Sequence, residues 1–128
     1  MRLLLDTHTF LWWVTDAPEL SVRARNVIAR PRSECLVSLA SCWEMASKAS
    51  LGKLKVSGSL ERFVPEQMTR NGFRELKIEF RHVARVARLP FHHRDPFDRL
   101  LAAQALEEGL AIVSADLVFR RYGVKRIW

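Results

Sequence analysis

Cysteine is scarce in this sequence, and several other features that define classes of protein are missing. Two cysteines, Cys35 and Cys42, are too few for a disulfide framework, and the four histidines do not join them in a zinc-finger spacing. No apolar run approaches the ~20 residues of a membrane span, and the apolar start at residues 3–5 is too short for a secretory signal. No glycine-rich loop precedes a Lys-Ser or Lys-Thr pair, so a Walker-type nucleotide site is excluded. We therefore expect a cytoplasmic protein with reduced cysteines and no membrane contact.

The charge of the chain is more informative. Its 128 residues carry 21 Lys and Arg against 14 Asp and Glu, a net charge of +7, and most of the cations are Arg. The excess is spread along the chain with no basic tail, which points weakly to a polyanionic partner, most often nucleic acid. A hydrophobic content of 48% is ordinary for a globular protein and excludes wholesale disorder.

Short apolar runs alternate with helical patterns along the whole sequence. The alternation predicts strands over residues 2–5, 34–38, 73–78, 110–113 and 124–128. It predicts helices over residues 9–15, 21–30, 39–51, 59–70, 79–89 and 96–108. Short apolar strands separated by helices imply a parallel sheet that is covered on both faces. We therefore predict a single α/β domain over residues 1–128, with a mainly parallel central sheet of about four to five short strands and helices on both faces.

Four acidic residues lie near the carboxyl ends of the predicted strands. Asp6 directly follows the first strand, and Asp116 comes just after the fourth. Glu44 lies near the start of the helix after the second strand, and Asp98 lies in the first turn of the last long helix. Ligands of an open parallel sheet bind beyond the carboxyl ends of its strands. The four acids can therefore meet at one edge if strands one, two and four are neighbours.

Each of these acids also has an ordinary structural explanation. Asp6 fits the N-cap of the first helix, and Glu44 fits an i,i+4 ion pair with Lys48. Asp95 fits the N-cap of the helix that follows it, which leaves Asp98 at a position where the helix dipole favours an acid. Asp116 fits an ordinary turn position. Four such coincidences at one sheet edge are less frequent than a site, so we favour a site.

A cluster of carboxylates restricts the chemistry. Carboxylates within a few ångströms of one another share protons or hold a cation. Oxygen ligands without thiolate or imidazole favour Mg²⁺ or Mn²⁺ over zinc. Such an ion suits phosphate oxygens and can generate hydroxide from water. An acidic pocket on a basic protein is therefore most typical of a metal-dependent nuclease.

Four segments of the sequence resemble one known family. They are LLLDTHTFLWW at residues 3–13, SLASCWEMASK with LGKL at residues 38–54, HHRDPFDRLLAAQA at residues 92–105, and VSAD at residues 113–116, followed by Phe119 and Tyr122. In this order they resemble PIN-domain proteins of the VapC toxin type. The likeness covers nearly the whole chain.

The resemblance implies a PIN fold, Mg²⁺ or Mn²⁺, and an endoribonuclease that is the toxin of a type II toxin–antitoxin pair. It implies an RNA substrate, a VapB-like antitoxin as partner and a homodimer. The family's acidic set, which serves as metal ligands and catalytic residues, falls on Asp6, Glu44, Asp98 and Asp116. The neighbouring Asp95 is expected to be mainly structural. Ser114 stands where relatives often carry Thr, which keeps a hydroxyl group.

Two other classes of function compete with the nuclease. A non-catalytic RNA-binding or regulatory module would show aromatic stacking motifs on strands or the loss of an acid, and neither is evident. A phosphoryl-transfer enzyme or receiver domain would use Asp6 as its nucleophile. A phosphatase of the haloacid dehalogenase kind would need an acid at the position of His8.

Three further groups of residues have two interpretations each. His92 and His93 are adjacent and do not face one another, so a loop-positioning role is favoured over a metal pair. Trp12 and Trp13 cannot both pack on one core patch, so one of them is a candidate partner contact. Arginines at helical spacing form a face that is either solvated or in contact with phosphate; they are Arg81, Arg85 and Arg88.

Overall fold

The strands form from the apolar runs of the chain. The computed structural model describes all of residues 1–128, and its strands are β1 (Arg2–Leu5), β2 (Glu34–Ser38), β3 (Arg74–Leu76), β4 (Ala111–Val113) and β5 (Arg126–Ile127). They make one sheet in the order β3-β2-β1-β4-β5, and every neighbouring pair is parallel. The predicted neighbourhood of the first, second and fourth strands is confirmed, with β1 in the centre.

Seven helices connect these strands. They are α1 (Thr7–Val14), α2 (Val22–Ala29), α3 (Leu39–Ser50), α4 (Leu60–Asn71), α5 (Phe80–Val86), α6 (Pro96–Glu108) and α7 (Val118–Arg121). Side-chain caps begin several of them: Ser21 accepts a hydrogen bond from the Ala24 amide, and Ser38 accepts one from the Ala40 amide. Gly72 and Gly109 end α4 and α6 with φ of 67° and 65°, a left-handed conformation that favours glycine.

The sheet buries a separate apolar layer on each face. Side chains alternate along β1, so Leu4 packs in one layer while Leu3 and Leu5 pack in the other. The Leu4 layer also contains Leu101 of α6, and the opposite layer contains Phe10 of α1. The predicted α/β fold, with a parallel sheet covered on both faces, is confirmed.

Several boundaries differ from the prediction. The first helix begins at Thr7, two residues earlier than predicted, because Asp6 caps it. The predicted strands over residues 73–78 and 124–128 are shorter, since β3 and β5 at the two edges of the sheet pair on one side only. Helix α7 was not predicted. No helix combines the length and the apolar character that a membrane crossing needs, and both cysteines are free thiols.

Candidate metal centre

The carboxyl ends of β1 and β4 open into an acidic cavity. The pairing of Leu5 with Val113 brings the residues that follow these two strands side by side. Helices α3 and α6 supply the other walls. The cavity has a volume of about 280 Å³ and is lined by Asp6, His8, Trp12, Glu44, Lys48, Asp95, Asp98, Ala115 and Asp116. All four predicted site acids therefore line one cavity, together with Asp95.

Asp6 is held at the cavity wall by two hydrogen bonds. Its Oδ2 accepts one from the Ser114 hydroxyl at 2.7 Å, and its Oδ1 accepts one from the Thr7 amide at 2.7 Å. Burial raises the pKa of this carboxyl, against the lowering effect of both hydrogen bonds. The capping explanation and a place in the cavity are thus both correct for Asp6. The hydroxyl at position 114 makes the contact that fixes this carboxylate.

Glu44 is buried and fully engaged. Its Oε1 accepts a hydrogen bond from Thr7 Oγ1 at 2.8 Å, and its Oε2 accepts one from Lys48 Nζ at 2.6 Å. This contact raises the pKa of Lys48. The predicted i,i+4 ion pair is present, and it lies in the cavity wall rather than on a solvated helix face.

Asp95 and Asp98 divide two tasks at the start of α6. Asp95 Oδ1 accepts hydrogen bonds from the amides of Phe97 and Asp98, so Asp95 is the helix cap that the sequence predicted. Asp98 is left free of capping. Burial, followed by the negative charges of Asp6, Asp95 and Glu44, raises its pKa to about 7. A nearby cation would stabilise the ionised form of such a carboxyl.

Asp116 belongs to a turn as well as to the cavity. Its backbone amide donates to the Ser114 hydroxyl at 3.0 Å, and its Oδ1 accepts a hydrogen bond from the Val118 amide at 2.9 Å. Ser114 therefore contacts both Asp6 and Asp116 and fixes the spacing of two acids that come from the same end of the sheet.

His93 is a site residue that the sequence did not single out by itself. Its Nε2 lies 3.0 Å from Asp98 Oδ2, and ligand atoms of His93, Asp98 and Asp116 all lie within 4.8 Å of one another. The argument against a metal pair holds, because the ring of His92 packs against Tyr122 with centroids 5.2 Å apart. The contact between His93 and Asp98 fits the positioning role predicted for this loop. The sequence alone does not show that Asp98 is the carboxylate that His93 contacts, because this contact depends on the fold of the loop.

A buried arginine shapes that loop. Arg99 donates hydrogen bonds to the carbonyl oxygens of Pro90 at 2.9 Å and Val86 at 3.1 Å, and its guanidinium lies 4.3 Å from the centre of the Phe91 ring. These contacts tie the segment before α6 to the end of α5. They place the loop that carries His93 over the start of α6.

The charge of the cavity is unbalanced. Five carboxylates line it, and Lys48 is the only lysine or arginine in its wall. Like charges at this density repel one another, and a bound cation relieves that repulsion. Oxygen donors in this number fit a hard divalent ion.

The family of the chain follows from comparison with known proteins. Residues 3–125 match the family model of the PIN domain. The chain belongs to the PIN domain family. Its acidic cavity lies at the carboxyl end of the sheet, where the positions of the four acids in the sequence predicted that they could meet.

Individual relatives agree with this assignment. The chain is 28% identical over 121 residues to a protein named Ribonuclease VapC22 from Mycobacterium tuberculosis, covering 94% of this chain and 91% of the relative. Its fold matches the structure of VapBC2 from Rickettsia felis bound to a promoter DNA fragment, with a TM-score of 0.72, 14% identity and coverage of 98% and 97% of the two chains. A DNA-bound VapBC from Salmonella typhimurium matches with a TM-score of 0.68, 20% identity and coverage of 98% and 96%.

The arginine face of this PIN domain is paired with acids far from the cavity. Arg81 contacts Glu108, and Arg85 donates to Glu107 at 2.8 Å, both at the end of α6. Arg88 lies 3.6 Å from Glu107. Along α6, Glu107 and Glu108 lie nine and ten residues after Asp98 of the cavity wall, a separation of about 14–15 Å. These contacts favour the structural interpretation of the arginine face over phosphate binding.

The two adjacent tryptophans are both half-buried. The indole nitrogen of Trp13 donates to Asn71 Oδ1 at 3.0 Å, which anchors α1 to the end of α4. Trp12 lines the acidic cavity and stacks on His8, with centroids 5.5 Å apart. The strongly exposed tryptophan is instead Trp43, which is 57% exposed.

Proposed function

We propose that this chain is a Mg²⁺-dependent endoribonuclease and the toxin of a type II toxin–antitoxin pair. The observation that carries the proposal is the cavity in which carboxylates from four segments of a PIN domain meet. Similarity to a protein named a ribonuclease supports RNA as the substrate. The net charge of +7 favours a polyanionic substrate, and RNA is a polyanion.

The proposed metal ligands are Asp6, Glu44, Asp98 and Asp116. Asp98 and Asp116 already have ligand atoms within 4.8 Å of each other and of His93. Asp6 and Glu44 line the same cavity through carboxylates that other side chains hold in place. A carboxylate set favours Mg²⁺, and a nitrogen ligand from His93 would favour Mn²⁺ instead.

The chain's own side chains orient the carboxylates for this chemistry. A divalent ion in the cavity supplies positive charge for a phosphate and lowers the pKa of a water molecule. Thr7 and Ser114 fix the rotamers of Glu44 and Asp6 through their hydroxyl groups. Lys48 neutralises part of the charge of Glu44 and lies in the wall where a phosphate would approach. In-line hydrolysis would leave a 5′-phosphate and a 3′-hydroxyl.

The proposed protein partners are a VapB-like antitoxin and a second copy of this chain. VapBC complexes among the structures with this fold support the antitoxin. The homodimer is an expectation from the family resemblance. We also propose that the protein acts in the cytoplasm, where RNA substrates are present.

The proposal is tested by the products that the purified protein makes from RNA. A 5′-labelled single-stranded RNA is incubated with the protein in Mg²⁺ and in EDTA, and the ends of the fragments are analysed. We expect fragments with 5′-phosphate and 3′-hydroxyl ends in Mg²⁺ and intact RNA in EDTA. Cyclic 2′,3′-phosphate ends, or equal cleavage in EDTA, would refute the mechanism. RNA binding without cleavage in either Mg²⁺ or EDTA would favour the non-catalytic RNA-binding module.

A further inference from the structure

An aromatic pair formed by an exposed tryptophan and a half-buried phenylalanine adjoins two carboxylates of the cavity and belongs to neither apolar layer. Trp43 of α3 and Phe97 of α6 meet with centroids 4.8 Å apart at an interplanar angle of 78°. Trp43 is 57% exposed, and neither ring is part of the packing on either face of the sheet. The buried positions of α3 are Ala40, Ser41, Glu44 and Met45, so Trp43 lies outside the packed face. Core packing therefore does not explain this pair.

The pair is tied to the cavity by its place in the chain. Trp43 directly precedes Glu44, and Phe97 directly precedes Asp98, so each ring belongs to the neighbour of a carboxylate in the cavity wall. Both residues lie on helices, and the Phe97 amide donates to Asp95 at 2.8 Å, which fixes the start of α6. The backbone of both residues is thus fixed beside two carboxylates of the cavity wall.

The geometry of the pair leaves aromatic surface open to solvent. In an edge-to-face contact, one ring uses its edge and the other uses one face. The exposed fraction of Trp43 shows that much of the indole has no protein neighbour. Bases of single-stranded nucleic acid stack on such rings, and each stack contributes to affinity with little dependence on sequence.

We propose that Trp43 and Phe97 form a stacking platform for one unpaired RNA base next to the cleaved bond. This inference rests on the proposed function, because it assumes that the phosphate lies in the acidic cavity. A base is joined to its phosphate through one ribose, so a base platform is expected directly beside a phosphate site. Lys48 lines the cavity, and the exposed Arg94 directly precedes Asp95 of its wall, so both supply positive charge next to the carboxylates.

An RNA base explains the position of the pair better than a protein partner does. Exposed tryptophans are also common anchors of protein interfaces. The pair adjoins two wall carboxylates, and His8 and Trp12 form a second stacked pair inside the wall itself. A nucleic acid strand carries a base on each side of every phosphodiester, which matches aromatic rings around one acidic cavity.

The test measures RNA affinity in a protein that does not cleave. Variants are made in an Asp6→Asn background, and binding of a labelled single-stranded RNA is followed by fluorescence anisotropy. We expect Trp43→Ala to weaken binding by about 5- to 150-fold, equivalent to about 1–3 kcal/mol per stacked base. Trp43→Phe keeps an aromatic face and should retain most of the affinity.

Phe80→Ala is the matched control. Phe80 is 82% exposed on α5, and its neighbour Arg81 contacts Glu108 at the end of α6 that is distant from Phe97. Loss of this ring should leave RNA affinity unchanged. Thermal unfolding of each variant shows that Trp43→Ala is folded, which is expected because the side chain is exposed.

An abasic scan of the RNA identifies the base. In the parent protein, removal of one base beside the cleaved bond should cost the same affinity as Trp43→Ala. In Trp43→Ala, removal of that base should cost nothing further. Additive losses at every position, or unchanged affinity of Trp43→Ala, would overturn the platform.

Three further outcomes separate this inference from others. If Trp43→Ala abolishes self-association in sedimentation velocity and leaves RNA affinity intact, the pair is a protein interface and the platform is refuted. If the protein with Asp6 intact cleaves RNA in Mg²⁺ while Trp43→Ala binds normally, only the platform fails. Absence of cleavage in that protein refutes the proposed function itself.

Discussion

Replacing Asp98 by Asn is expected to stabilise the metal-free protein at alkaline pH. The pKa of Asp98 is about 7 in the folded state, against 3.8 for the unperturbed group. Between these values the folded protein holds a proton that the unfolded chain releases, so stability falls as the pH rises. The difference corresponds to at most about 4 kcal/mol at pH 8, of which about 2 kcal/mol develops between pH 5.5 and pH 8. Asn cannot ionise and removes this loss.

Urea unfolding in EDTA at several pH values measures the effect. The free energy of unfolding of Asp98→Asn should exceed that of the wild type at pH 8, and the gap should narrow by about 2 kcal/mol towards pH 5.5. Asp16→Asn removes the same charge from a side chain that is 87% exposed, so its difference from the wild type should vary little with pH. A gap for Asp98→Asn that is constant from pH 5.5 to pH 8 would refute the electrostatic account of the cavity.

Three other predictions concern the cap, the arginine face and the antitoxin. Asp95→Ala should lower the free energy of unfolding by about 0.5–2 kcal/mol through loss of the α6 cap and keep Mg²⁺-dependent cleavage; a stable but inactive variant would make Asp95 the ligand. Joint replacement of Arg81, Arg85 and Arg88 by Gln should leave the salt dependence of RNA binding unchanged, because these side chains pair with acids of α6. A shallower dependence of the binding constant on salt concentration would instead show phosphate contact. An antitoxin that inserts an arginine into the cavity should inhibit less well as Mg²⁺ is raised or when that arginine becomes Ala, and potency independent of both would mean that it blocks RNA elsewhere.

The best sequence predictions were those with local chemical signals. The bounds of β2 and α6 were predicted to the residue, because Ser38 ends one element and the Asp95-Pro96 pair begins the other. The parallel sheet followed from apolar runs between helices. Convergence of Asp6 and Asp116 followed from their places shortly after the ends of β1 and β4, which are neighbours in the sheet.

What the sequence did not provide depends on contacts between distant segments. The pairing of α5 arginines with the end of α6 requires the packing of two helices, so the sequence favoured a solvated face over a phosphate contact and did not predict these ion pairs. The contact between His93 and Asp98 depends on a loop that Arg99 ties to carbonyl groups. Helix α7 has only four residues, and its N-cap position is Leu117, which cannot cap through its side chain, so the sequence carries no clear helix start there.

The central claim is that RNA hydrolysis depends on a divalent ion held by the cavity acids, and one titration tests it most directly. Cleavage of a labelled single-stranded RNA is followed under single-turnover conditions as Mg²⁺ is raised, for the wild type and for Asp6→Asn in parallel. The wild type should show saturable dependence on Mg²⁺ and no cleavage in EDTA. Asp6→Asn removes one ligand charge and should remain folded but inactive at every Mg²⁺ concentration. Full cleavage by Asp6→Asn, or cleavage by the wild type that does not depend on Mg²⁺, would contradict the account.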